Sequence, residues 1–182
     1  MEIQTSAART RAQAVLGGIG RAAGCLALAL CGLSAASGAE PGGLDAGQAW
    51  ARSISGTMEV TLSALDPSVA AQPGSPVLGR KGLSKRYHGV LEALAEGEML
   101  TAGGTVKGSG AYVAVERVVG ALDGRSGSFA LVHRGVMQGS QQVLLVSVVP
   151  DSGTGELAGL RGVLQIERRD GQHHYRFDYT LP

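Results

Sequence analysis

Along most of the chain after residue 56, apolar positions recur with a period of two. This spacing buries one face of a strand and leaves the other to water. In residues 57–64, Met58, Val60, Leu62 and Ala64 alternate with Thr57, Glu59, Thr61 and Ser63. Residues 83–95 fit a strand or a helix on spacing alone. The alternation of Tyr87, Leu91 and Ala93 with His88, Val90 and Glu92 favours one strand. Between the two, residues 66–82 hold Pro67, Pro73 and Pro76 and predict a long loop at a rim. Residues 96–107 are a weaker segment, a candidate hairpin partner. Residues 112–122 and 126–138 flank Asp123-Gly124-Arg125-Ser126, where a Gly124-Arg125 loop would suit a type II′ turn, with glycine first. Residues 141–149 form a near-continuous apolar run closed by Pro150, and 163–167 are again strand-like. Residues 174–180 set Tyr175, Phe177 and Tyr179 against His174, Arg176 and Asp178. Seven or eight short strands without a long amphipathic helix predict an all-β fold, an antiparallel barrel or sandwich. The barrel is preferred, because closure protects edges as apolar as residues 144–149.

Composition agrees with many turns. Glycine reaches 29 residues and aromatics only 4%, while 44% apolar residues exclude a disordered chain. Residues 1–39 read as a cleavable signal peptide. Arg9, Arg11 and Arg21 precede an apolar core at 22–33, and Ser37-Gly38-Ala39 offers a small-x-small cleavage site. The expectation is an exported bacterial protein, periplasmic or extracellular, with a flexible lead-in at 40–52 and a barrel domain at 53–182. The apolar core falls short of the ~20 residues a membrane helix needs, so no membrane span is expected after cleavage. Leu30 before Cys31 argues against a lipid-attachment site. Cys25 and Cys31 both leave with the segment, which removes disulfides and thiol chemistry. Loss of Arg9, Arg11, Arg21 and Glu2 turns a net charge of +1 into −1. No basic stripe remains for nucleic acid.

The stretch Glu116-Arg117-Val118-Val119-Gly120-Ala121-Leu122-Asp123-Gly124-Arg125-Ser126-Gly127-Ser128-Phe129, with His133-Arg134-Gly135 and residues 149–162, resembles a bacterial family of unknown function. This is the domain-of-unknown-function family 3224, whose members look like the allene oxide cyclase barrel. The Gly-Thr-Gly-x-x-x-Gly-x-x-Gly run at 153–162 is also similar to plant allene oxide cyclases and, more loosely, to dirigent proteins. The likeness spans roughly residues 56–181 and is strongest over 116–162. It implies an eight-stranded antiparallel barrel with a central cavity. It implies no reaction, and no catalytic residue is carried over.

The same glycine-rich run has the look of a phosphate loop, yet it is followed by a strand rather than by the helix that would supply amides and dipole. Gly153, Gly155, Glu156, Leu157, Gly159, Leu160 and Gly162 are therefore expected to form a structural plug. In it, Leu157 and Leu160 bury at one end of the barrel, and Glu156 pairs locally with Arg161.

Glu116 and His133 are the candidate chemical couple. With a Gly124-Arg125 turn, paired positions sum to 249, and the two lie directly opposed on one face. Together they could act as a general acid and base or hold a polar ligand group. The more ordinary outcome is a solvated ion pair beside Arg117 or Arg134. If their face is the lumen, Tyr112, Val118, Phe129 and Leu131 complete a mostly apolar cavity. If the opposite face is the lumen, Arg117 and Arg134 would suit an anionic ligand. The first arrangement is preferred.

His173 and His174 point to opposite faces, and His88 has no spaced partner, so no metal site is expected. No serine has a nucleophile's context, no cofactor is implied, and Glu92, Glu96 and Glu98 read as a solvated rim. The expected function is binding of a small apolar or amphipathic molecule in the lumen, rather than catalysis. The alternatives are an isomerase or cyclase using the Glu-His couple, and a structural envelope protein or homo-oligomer.

Overall fold

The computed structural model describes residues 49–67 and 69–182. The expected signal peptide and most of the lead-in lie outside the described residues. Eight strands follow in order: β1 Arg52–Leu65, β2 Val77–Gly89, β3 Leu91–Gly103, β4 Gly110–Leu122, β5 Arg125–Gln138, β6 Gln141–Val148, β7 Arg161–Arg169 and β8 Gln172–Thr180. All neighbouring pairs are antiparallel, and β8 closes onto β1. The fold is an eight-stranded antiparallel β-barrel. No helix among the described residues is long and apolar enough to cross a membrane.

Several element boundaries differ from the sequence reading. β1 begins at Arg52, within the expected lead-in. Only residues 66–76 form the proline-rich loop, because 77–82 already belong to β2. Residues 83–95 are not one strand. The chain reverses at Gly89, whose φ of 117° is closed to ordinary L-residues, and then runs back as β3 through Gly103. Tyr87 pairs with Ala93 across this turn, so odd-numbered residues stay on one face through the reversal.

The β4–β5 turn uses Asp123-Gly124, with φ values of 52° and 79°, rather than Gly124-Arg125. Two successive positive φ values define a type I′ turn, which favours Asp-Gly and matches the natural twist of a hairpin. The pairing becomes Leu122 with Arg125, and facing positions sum to 247. Glu116 therefore opposes Leu131, and His133 opposes Ala114. The shift is by two, so Glu116 and His133 remain on one face as diagonal neighbours.

The two ends of the barrel differ. At one end lie the β2–β3 and β4–β5 turns, the chain end and the β6–β7 connection. That connection holds a single 3-10 turn, Gly155–Leu157. Leu157 and Leu160 are fully buried there. They join a packed cluster with Leu122, Phe129, Phe177 and Tyr179, in which the Phe129 and Phe177 rings stack at a centroid distance of 6.0 Å and the Tyr179 ring lies tilted against Phe177 at 5.1 Å. Glu156 does not pair with Arg161; its carboxylate accepts the Ser126 amide at 2.8 Å and so ties the plug to β5. A Cβ on Gly153 would collide with the Leu157 carbonyl, which explains glycine at that position. At the other end, which bears the proline-rich loop, the described residues form no such plug.

Candidate functional site

The inward stripe of β2 is Leu83, Lys85 and Tyr87, all buried. On β4 the inward residues are Tyr112, Ala114, Glu116 and Val118, and on β5 Phe129, Leu131 and His133. This places a lysine, a carboxylate, an imidazole and a phenol together near the middle of the lumen. Lys85 Nζ lies 2.9 Å from both Glu116 oxygens and donates its aligned hydrogen bond to Oε1. Tyr87 donates to the same oxygen at 2.8 Å, and His133 Nε2 stands 3.2 Å from it. Oε2 is buried without a hydrogen-bond partner among the described residues. Relative exposures of 5% for Lys85, 1% for Glu116 and 3% for His133 show how completely the cluster is withdrawn from solvent. The solvated ion pair with Arg117 or Arg134 does not form. Both arginines sit at outward, exposed positions, and the second assignment of faces, with an arginine-lined lumen, is set aside with it.

Lys85 and Glu116 lie two strands apart, and β3 must let them meet. It does so with Gly97, which pairs with Glu116 and at which any Cβ would run into the Val115–Glu116 backbone. The next inward residue toward Lys85 is the small Ala95.

The electrostatics follow from burial and proximity. Burial alone would raise the Glu116 carboxyl. Hydrogen bonding from His133 and the positive charge of Lys85 outweigh it and hold the group below its ordinary range, as a carboxylate. Burial pulls the Lys85 ammonium below its usual range, against the attraction of Glu116. Burial, reinforced by the Glu116 charge, drives the Tyr87 phenol well above its usual range and keeps it a donor. A carboxylate only accepts, so His133 Nε2 carries the proton facing it and Nδ1 is the ring nitrogen left over.

Above this cluster lies a cavity of about 400 Å³. Met58, Val60, Leu83, Met99, Leu144 and Ile166 supply apolar walls. Lys85, His133 and Tyr112 supply its polar floor, and Leu62, Gln142, Glu167, Arg168 and His173 also border it. Burial, with the charges of Arg168 and Lys85, holds the His173 imidazole below its usual range. On one side the cavity is flanked by β6 and β7, which share a single paired position, Ser147 with Val163. The wall there lacks a continuous hydrogen-bonded ladder.

Of the residues singled out from the sequence, Tyr112 and His133 line this cavity, and Glu116 lies just beneath it. Val118, Phe129 and Leu131 face inward but fill the packed core instead, where the plug and the aromatic cluster leave no space. Lys85 and Tyr87 were missed as partners. The available sign was a lysine at an inward position between Leu83 and Tyr87 in an alternating strand. Among the described residues, no three His, Cys, Asp or Glu side chains cluster as a metal site.

Comparison with known proteins gives a family and no activity. No curated protein matches the chain. A crystal structure of a protein with unknown function from the DUF3224 family of Shewanella oneidensis MR-1 is similar to it, at 45% identity and a TM-score of 0.69, over 72% of this chain and 97% of that one. Residues 54–179, nearly the whole barrel, match the model described as protein of unknown function (DUF3224), and the chain belongs to that family.

Proposed function

We propose that this barrel is an exported binding protein for a small amphipathic molecule. Its ligand lays an apolar body along Met58, Val60, Met99, Leu144 and Ile166 and sets a polar head on Lys85 and His133. The observation that carries this reading is the combination of an apolar-walled cavity of about 400 Å³ with a buried polar floor. Ligand sites typically have volumes of roughly 300–1,000 Å³, with apolar linings and a few convergent polar groups. Export rests on the pattern of residues 1–39.

A second reading, an isomerase or cyclase, is favoured by one specific feature. Glu116 orients His133 through Nε2, so that Nδ1 is available as a base, while Lys85 offers a positive charge to a developing oxyanion. The test of the binding reading is native mass spectrometry of protein purified from its own host, followed by titration with fatty-alcohol and terpenoid probes. A co-purifying molecule of lipid size, displaced by such probes, is the expected result. An empty protein that binds none of them overturns the proposal.

A further inference from the structure

Lys85 is unusual within its own chain. The sequence has 16 lysines and arginines, and only Lys81, Lys85 and Lys107 are lysines, which leaves 13 arginines. Arginine is the usual choice for a buried ion pair, because its planar fork matches a carboxylate and its charge never leaves. Against the buried carboxylate of Glu116, this chain instead places the side chain that can become a neutral amine. Lys81 and Lys107 are exposed.

The surroundings suit that conversion. Glu116, 2.9 Å away, can receive the ammonium proton, and the Tyr87 hydroxyl stands 3.5 Å from the nitrogen. Burial already weakens the hold of Lys85 on its proton. Charge balance also selects the ligand. With Lys85 and Glu116 cancelling, a second carboxylate beside Glu116 would be an uncompensated buried charge, whereas a neutral oxygen acceptor adds none.

We infer that Lys85 is an imine-forming amine, and that the lumen captures a small apolar aldehyde or ketone through its carbonyl carbon. This rests on the binding reading above. Lys85 first passes a proton to Glu116. The freed nitrogen pair forms a bond to the carbonyl carbon as the C=O π pair moves to oxygen. Glu116 shuttles protons from nitrogen to that oxygen. The C–O bond then breaks, water leaves, and the remaining nitrogen pair forms the C=N bond. The products are a protonated imine, one water and the Glu116 carboxylate. The buried floor therefore holds the same net charge at the end as at the start, which avoids building charge in a low-dielectric site.

The experiment treats the full chain with octanal and sodium borohydride, maps adducts by peptide mass spectrometry, and measures 1-octanol retention by native mass spectrometry. The expected result is one alkyl group per chain on Lys85, installed at least about ten times faster than on Lys81 or Lys107, as a preorganised site would give. Lys85→Arg keeps the charge but offers no amine for imine formation, and should lose the adduct. The wild-type map is decisive even if that variant fails to fold. Retention of 1-octanol, with alkylation no faster on Lys85 than on Lys81 and Lys107, overturns imine capture and leaves the binding reading standing. If octanol is not retained and Lys85 is not alkylated, both fail.

Discussion

Replacing Glu116 with glutamine tests the electrostatics of the lumen directly. The substitution preserves size and removes only the charge, which leaves the Lys85 ammonium buried without its counter-ion. Breaking one half of a buried pair typically costs about 3–5 kcal/mol. The structure sets a ceiling, because Lys85 can escape the penalty by releasing its proton. Starting from an ordinary value of 10.5, neutralising a lysine at pH 7 costs about 5 kcal/mol, at roughly 1.4 kcal/mol per pH unit. The deficit of Glu116→Gln should therefore lie at 3–5 kcal/mol at pH 7 and shrink as pH rises toward 9, where releasing the proton is easier. Urea unfolding of the wild type, Glu116→Gln, and the double variant with Lys85→Met, each at pH 7 and pH 9, gives the six curves required. The double variant should recover most of the loss, since removing both partners leaves no orphaned charge. A Glu116→Gln deficit under about 1 kcal/mol, or a double variant no better than the single, would show that the pair is not the coupled, desolvated unit described here.

Two further outcomes follow from the same features. Leu160→Ala removes a fully buried plug residue and should cost about 2–5 kcal/mol by thermal or urea unfolding, whereas a loss under about 1 kcal/mol would mean that the connection does not seal the barrel. Because the folded Glu116 carboxyl lies below its ordinary value of 4.5, its contribution to stability is complete above that value and is lost as pH falls through the lower folded value; stability of the wild type should therefore drop more steeply than that of Glu116→Gln in acid, and parallel curves would contradict the assignment.

The placement of Glu116 and His133 was legible in the sequence for a reason that survives an error in the turn. Parity along a strand is set by the pleat, and a hairpin transmits it through the sum of paired positions. A turn at Asp123-Gly124 rather than Gly124-Arg125 moves that sum from 249 to 247, an even step, so the face holds while the direct opposition is lost. A glycine at the first loop position suits a type II′ turn at Gly124-Arg125, but Asp123-Gly124 supplies the two positive φ values of the type I′ turn that the chain adopts. The reversal at Gly89 was hidden for a related reason. A tight turn that conserves parity leaves the alternation of Tyr87, Leu91 and Ala93 unbroken, so one strand and two look alike in the pattern.

What alternation cannot carry is contact across a strand that contributes nothing. Lys85 reaches Glu116 over β3 because Gly97 and Ala95 leave room, and neither residue advertises a site. A glycine in a weakly alternating segment reads as a defect, although here it is the condition for the lumen ion pair. The apparent cavity residues Val118, Phe129 and Leu131 fail as ligand contacts for the converse reason. They satisfy the inward pattern fully, but the depth of the plug decides which inward positions meet ligand space and which meet other side chains. Strand parity settles which side chains enter the barrel. The small residues between strands and the length of the β6–β7 connection settle which of those side chains can touch a ligand.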